Sequence, residues 1–295
     1  IDASRAVTPE KTGVEWYSWY LLQAMQRCTP SDWQVRLYIP KESGIWNYES
    51  GNWSWRALKW PLGRGWTQGR LSIEMIKSPP DVLFVPSHVI PLVHPERTIT
   101  TVHDVVFLKY PELYDPIDLE AQKRGLEFAL KFAKKIIVPS QATKEAVVAA
   151  GGRPEQIVVI THGVEMANSY GSAPQTLAAS APPKAAQIAN SRYILFIGRL
   201  EKKKNVLGLI QAFRYLCTNY ESGTNITNPL KLVLAGPLGY GGEDVLQAIK
   251  TFKLQDRVIH LGWVNSAQYL ELLRGAALLV LPSFGEGFGL PVLEA

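Results

Sequence analysis

Apolar residues along this chain follow two rhythms that alternate almost throughout. Short runs rich in Val, Ile and Leu predict β-strands at 34–40 (QVRLYIP), 81–86 (DVLFVP), 98–102 (TITTV), 134–139 (KKIIVP) and 157–161 (IVVIT). Between them lie helix-length segments, and the spacing predicts helices near 13–28, 69–77, 118–133 and 140–150. Ser140 supplies a helix N-cap and Gly151-Gly152 a stop. The pattern resumes with strands at 193–198 (YILFIG), 231–235 (KLVLA), 258–264 (VIHLGWV) and 277–282 (ALLVLP), and with helices at 205–220, 242–254 and 266–275. Strands that alternate with helices form parallel sheets from βαβ units, so the fold class is α/β.

The rhythm fails between 166 and 190, where MANSYGSAPQTLAASAPPKAAQIAN is rich in Ala, Ser and Pro. By composition this is an interdomain linker, with one domain at 1–165 and a second at 191–295. The second domain has four predicted strands where a doubly wound nucleotide-binding half commonly has about six, so it is expected to be incomplete. The opening IDASRAV reads as the end of a strand, and without Met at position 1 the natural start is expected a few residues upstream.

Composition narrows the classes. A chain of 295 residues with 46% hydrophobic and 19% charged residues is globular, which excludes a disordered protein. No apolar run reaches the roughly 18 residues of a membrane span. Net charge +5 and pI near 9.1 suit phosphates, an anionic membrane face or nucleic acid without choosing among them. Nucleic acid is set aside, because no recognition motif accompanies the charge. Cys28 and Cys217 match no metal or redox spacing and read as buried, reduced thiols in a cytoplasmic protein. The stretch 41–68 interleaves Trp46, Trp53, Trp55, Trp60 and Trp66 with Arg56, Lys59 and Arg64. Two readings stand side by side: peripheral contact with the inner face of a membrane or with sugars, and packing onto the domain's own core.

The chemistry concentrates at strand ends. The run Ser283-Phe284-Gly285-Glu286-Gly287-Phe288-Gly289-Leu290-Pro291-Val292-Leu293-Glu294 follows a strand and leads into a helix. Its glycines let backbone approach a ligand, and free amides at a helix start favour anionic oxygens. Glu286 falls in the loop and Glu294 on the helix, so both face one ligand from different heights. After YILFIG, the segment Arg199-Leu200-Glu201-Lys202-Lys203-Lys204-Asn205 sets cations between a strand end and a helix start, which suits a diphosphate. Fixed cations there stabilise the charge on a departing diphosphate. His103-Asp104 ends the strand TITTV, and Thr12-Gly13-Val14 precedes the first helix.

These motifs resemble the retaining GT-B glycosyltransferases, the glycosyltransferase 4 family in particular. The C-terminal run is similar to that family's E-x7-E signature, and the segment after 198 to its G-R-x-x-x-x-K motif. The resemblance implies two Rossmann-like domains, the first on the acceptor side and the second binding the donor. It implies hexosyl transfer (mannosyl, glucosyl or rhamnosyl) from a nucleoside-diphosphate sugar to a hydroxyl on a glycan, lipid-linked or small-molecule acceptor, with retention. It further implies that Glu286 orients the donor sugar with amides around Phe288, Gly289 and Leu290, and that Glu294 binds the ribose. Arg199 and Lys204 would hold the diphosphate, His103 would contact the sugar, and Gly13 would let backbone near the diphosphate or acceptor. Glu15 departs from the fuller pattern after Gly13. The alternatives are a non-catalytic sugar-nucleotide binder and a sucrose- or glycogen-synthase-like enzyme. No D-x-D triplet occurs, so no metal and no cofactor are expected. His88 and His94 carry no ligand spacing, His162 reads as architectural and His260 as a satisfied strand residue.

Overall fold

The computed structural model describes residues 1–41, 51–62, 65–164, 188, 191–220 and 229–295. Two compact units emerge: Ile1–Lys109 with Pro116–His162, and Tyr110–Asp115 with Gly163–Ala295. Of the stretch 166–190, the described residue is Ile188, buried in the second unit's core; the remainder lies outside the described residues.

In the first unit, β1 (Val35–Ile39) pairs in parallel with β2 (Trp53–Ala57). The strands β3 (Leu83–Val85), β4 (Thr98–Thr101), β5 (Lys135–Val138) and β6 (Ile157–Val159) form a second parallel sheet in that order. The opening residues link the two. Tyr38 donates to the Ile1 carbonyl, Ala3 to that of Tyr38, and Asp2 to that of Phe84, each at 2.9 Å. Helices Gly13–Cys28, Pro116–Phe132 and Gln141–Ala149 form where the apolar period predicts them, the last with the Ser140 hydroxyl accepting from the Thr143 amide at 3.1 Å.

In the second unit, β7 (Tyr193–Ile197), β8 (Lys231–Ala235), β9 (Val258–Gly262) and β10 (Leu278–Leu279) make a parallel sheet ordered β10-β7-β8-β9. Side chains alternate faces along a strand. Leu232 and Leu234 of β8 accordingly join one core, with Phe196, Val206, Ile210 and Phe213, while Val233 and Ala235 join another, with Tyr193, Leu195, Ile259 and Leu272. The sheet is thus covered on both faces, as parallel sheets must be. Val206, Leu209, Ile210 and Phe213 form the buried stripe of helix Val206–Tyr220 at the spacing an amphipathic helix requires.

The chain winds from β7 to β8 and β9, then returns to place β10 on the other flank of β7. Strand order therefore reverses between β7 and β10, and in open α/β sheets ligands bind outside the carboxyl ends at such a point.

Two readings need correction. Cys28, the last residue of its helix, is exposed rather than buried, and Cys217 is half-buried against the second unit's core. The tryptophan-rich stretch holds an unforeseen strand, β2, whose alternation buries Trp53 and half-buries Trp55 and Ala57. Trp66 is also buried and donates its indole N–H to the Leu58 carbonyl at 2.8 Å, and Trp60 lies against Gly69. Arg56 pairs with the buried Glu74 at 2.5 Å. Trp46 and Arg64 lie outside the described residues.

Candidate functional site

The chain leaving β7 and the chain leaving β10 run side by side. After β7, Leu200 donates to the Pro237 carbonyl and Lys202 to that of Tyr240, both at 2.9 Å, pinning this loop to the one after β8. A 3-10 turn over Lys202–Lys204 ends at Asn205, whose left-handed backbone (φ 52°) redirects the chain into helix Val206–Tyr220. After β10, the Phe284 amide donates to the Lys203 carbonyl at 3.0 Å, so the second turn is stitched to the first.

The side chains converge as well. The Lys204 ammonium donates to both carboxylate oxygens of Glu286, at 2.6 and 2.8 Å, and the Ser283 hydroxyl donates to Oε1 at 2.5 Å. Lys204 and Glu286 keep 20% and 27% exposure, so the pair is sheltered yet reachable. A cation and a carboxylate on adjacent turns suit a ligand with an anionic part and a hydroxyl-bearing part. Neighbouring lysines are engaged elsewhere: Lys202 lies over the Tyr240 ring, and Lys203 lies over Tyr114 and 3.6 Å from Glu201. A cavity of about 270 Å³ beside the Lys202–Lys204 turn is lined by Glu201, Lys202, Asn205, Asp244 and Phe284, but by neither Lys204 nor Glu286.

The other second-unit candidates lie on the loop after β7, on the loop after β10 and on the helix that follows it. Arg199 is exposed, its Nε 3.5 Å from where a Cβ on Gly239 would lie, and stays outside the Lys204–Glu286 contact. Phe288 and Gly289 lead into the short helix Leu290–Glu294, with Gly289 at φ 85°. The Glu294 carboxylate accepts from the Tyr269 hydroxyl of helix Ser266–Gly275, a partner the sequence did not suggest.

In the first unit, His103 follows β4 and donates from Nε2 to the Pro86 carbonyl at 3.1 Å. A carbonyl only accepts, so this contact fixes the tautomer, and burial pulls the ring's pKa below its ordinary value. The neutral ring therefore leaves Nδ1 as an acceptor. Tyr17 meets His103 edge-on with centroids 4.6 Å apart, and His162 lies 4.8 Å from Tyr17 and 5.7 Å from His103. Burial, then the neighbouring His103, lowers the His162 pKa to about 4. Asp104 accepts from the Val106 amide at 3.1 Å and so holds the loop. Gly13 opens its helix with no atom within 4 Å of a Cβ placed there. Glu15 accounts for its own departure from the pattern: its carboxylate accepts from the Thr12 amide at 3.2 Å and pairs with Arg5, capping the helix.

Sequence reasoning missed Ser283, Tyr269 and Tyr17. Ser283 carried a signal, a hydroxyl three residues ahead of a loop carboxylate, whereas the two tyrosines sit in helices as ordinary amphipathic positions. Among the described residues, no three His, Cys, Asp or Glu side chains group as a metal ion would need. No helix among them is long and apolar enough to cross a membrane.

The profile of the family described as Glycosyltransferase Family 4 matches residues 11–168, and that described as Glycosyl transferases group 1 matches residues 181–295. The O-antigen chain mannosyltransferase B of Escherichia coli is 30% identical over 201 residues, which is 68% of this chain and 50% of that protein. The chain thus spans half the length of that relative. Among solved structures, Anabaena Alr3699/HepE in complex with UDP and glucose superposes with a TM-score of 0.65 at 19% identity, covering 98% of this chain and 75% of that one. A sucrose-phosphate synthase from Thermosynechococcus elongatus does so with a TM-score of 0.66 at 15% identity, covering 100% and 77%.

Proposed function

The chain belongs to glycosyltransferase family 4 and has the GT-B α/β fold, and on that premise we propose that the whole protein transfers a hexosyl group from a nucleoside-diphosphate sugar to a hydroxyl acceptor. Lys204 and Arg199 hold the diphosphate and stabilise the charge that develops as the sugar–phosphate bond breaks. Glu286 orients the sugar through its hydroxyls, with the amides of Phe288, Gly289 and Leu290, and Glu294 takes the ribose. His103 contacts the donor sugar at the reacting centre, and Gly13 lets backbone near the diphosphate or the acceptor. Transfer proceeds with retention, without a metal ion, in the synthesis of a glycan or glycolipid in the cytoplasm.

One observation carries the reading: Lys204 and Glu286 meet at the strand-order reversal between β7 and β10. A mannosyltransferase among the relatives and a UDP complex among the structural neighbours point the same way. Trp53, Trp55, Trp60 and Trp66 are engaged within their own unit, which favours packing over a bilayer role for them.

The test is thermal shift of the full-length protein with UDP-, GDP-, ADP- and dTDP-sugars in EDTA. We expect stabilisation by one nucleotide class, surviving chelation and lost in Lys204→Ala. Absence of stabilisation by every class would count against the function, and an absolute magnesium requirement against metal independence.

A further inference from the structure

The segment Tyr110–Asp115 belongs to the second unit although the residues on either side of it, Lys109 and Pro116, belong to the first. We propose that this segment is a brace holding the two donor turns against each other, with Tyr110 and Tyr114 as positioning residues for Glu286 and Lys204. The inference rests on the donor-binding role proposed for those turns.

Each end of the segment meets a different turn. The Tyr110 ring lies 5.9 Å from that of Phe284, centroid to centroid and inclined by 45°, and Phe284 precedes Glu286 by two positions. The Tyr114 ring, 8% exposed, lies under the Lys203 ammonium at 5.2 Å, immediately before Lys204. The turns touch each other through the Phe284 amide and the Lys203 carbonyl. The tyrosines therefore sit on the two residues that stitch the turns together.

The segment is stiff enough for this work. Pro111 opens a 3-10 turn over Pro111–Leu113, closed by Leu113 donating to the Tyr110 carbonyl and Tyr114 to that of Pro111, each at 3.2 Å. Proline fixes one backbone angle, and a closed turn sets the distance between the rings. Leu113, between the tyrosines, lines the cavity that Phe284, Glu201 and Lys202 also line. Phe284 itself is 47% exposed, so an aromatic partner removes freedom its turn would otherwise keep. The same stretch of chain carries His103 upstream, through the short helix Val106–Lys109.

The experiment measures donor affinity of the full-length protein with the same UDP-, GDP-, ADP- and dTDP-sugars, in Tyr110→Ala, Phe284→Ala, the double variant and Tyr110→Phe. A ring pair of this kind is worth a factor of about three to ten, so each alanine variant is expected to weaken binding by that much, with the double variant no worse than either single one. Tyr110→Phe keeps the ring and should bind as the wild type does, and the unliganded melting temperature should not separate it from Tyr110→Ala by more than about 2 °C, since Tyr110 is only half-buried. Equal donor binding by wild type and Tyr110→Ala, or strictly additive losses, would overturn the brace alone. Failure of the wild type to bind any nucleotide sugar would overturn the proposed function and the brace with it.

Discussion

The Lys204 ammonium is clasped by both oxygens of the Glu286 carboxylate, so the cation proposed for the diphosphate is neutralised by the acid proposed for the sugar. A bound diphosphate competes with Glu286 for that ammonium. We therefore expect Glu286→Ala to bind UDP or GDP, whichever the wild type takes, at least as tightly as wild type while losing transfer. Lys204→Ala removes a charged donor and should weaken nucleoside-diphosphate binding about ten- to hundredfold. Calorimetric titration with the free nucleotide distinguishes the two. Loss of nucleotide affinity in Glu286→Ala would mean that the carboxylate supports the diphosphate rather than competing for its cation.

The loops that frame this pair depend on backbone contact at Gly236. A Cβ there would lie 2.0 Å from the Gly198 carbonyl oxygen, and the residue's φ is 146°. Neither strand end can yield, because Gly198 donates to Ala235 at 2.9 Å and Gly236 to Gly262 at 2.7 Å. Gly236→Ala should cost more than about 4 kcal/mol or prevent folding. Gly163→Ala, with nothing within 4 Å of the added carbon, is the control in denaturant unfolding. Equal midpoints for both variants would refute the close approach.

Where apolar spacing is long and regular, the elements could be read directly. The stripe Val206, Leu209, Ile210 and Phe213 requires a helix with one buried face, and KLVLA, apolar on both faces, requires a covered strand. The two turns were legible for a related reason, since lysines after one strand and a glycine-flanked glutamate after another carry their chemistry locally. Their contact was not, because it follows from β10 lying beside β7, a pairing that no local pattern encodes. β2 escaped because its tryptophans and arginine suit a surface as well as a strand, and burial of Trp53 is decided by β1 beside it. The allegiance of Tyr110–Asp115 to the second unit is likewise set by residues far along the chain, Phe284 and Lys203.

The buried tryptophans should separate by their hydrogen bonding. The Trp66 indole N–H donates to the Leu58 carbonyl, whereas that of Trp53 is buried with no acceptor among the described residues. Trp66→Phe leaves a carbonyl unsatisfied and should cost about 1–3 kcal/mol. Trp53→Phe gives up no such bond and should cost less, while Trp53→Ala empties a core position at about 3–5 kcal/mol. Urea unfolding orders the three variants. A larger loss for Trp53→Phe than for Trp66→Phe would contradict this account of the stretch.

The aromatic cluster around His103 makes stability depend on pH in a definite direction. Burial lowers the pKa of His88, His103 and His162 in the folded chain, the last to about 4, while an unfolded histidine titrates at its ordinary 6.5. Between those values the unfolded chain binds protons that the folded chain refuses, so acidification favours unfolding. The contribution of these histidines should be level well above pH 6.5 and fall as pH drops from there towards 4. His162→Phe keeps a ring beside Tyr17 and His103 but removes one titrating group. Its melting temperature should fall less steeply over the same interval, and the wild-type His162 resonance should titrate well below 6.5 by NMR. A wild-type melting temperature that rises on acidification through this window would reverse the sign and remove burial as the cause.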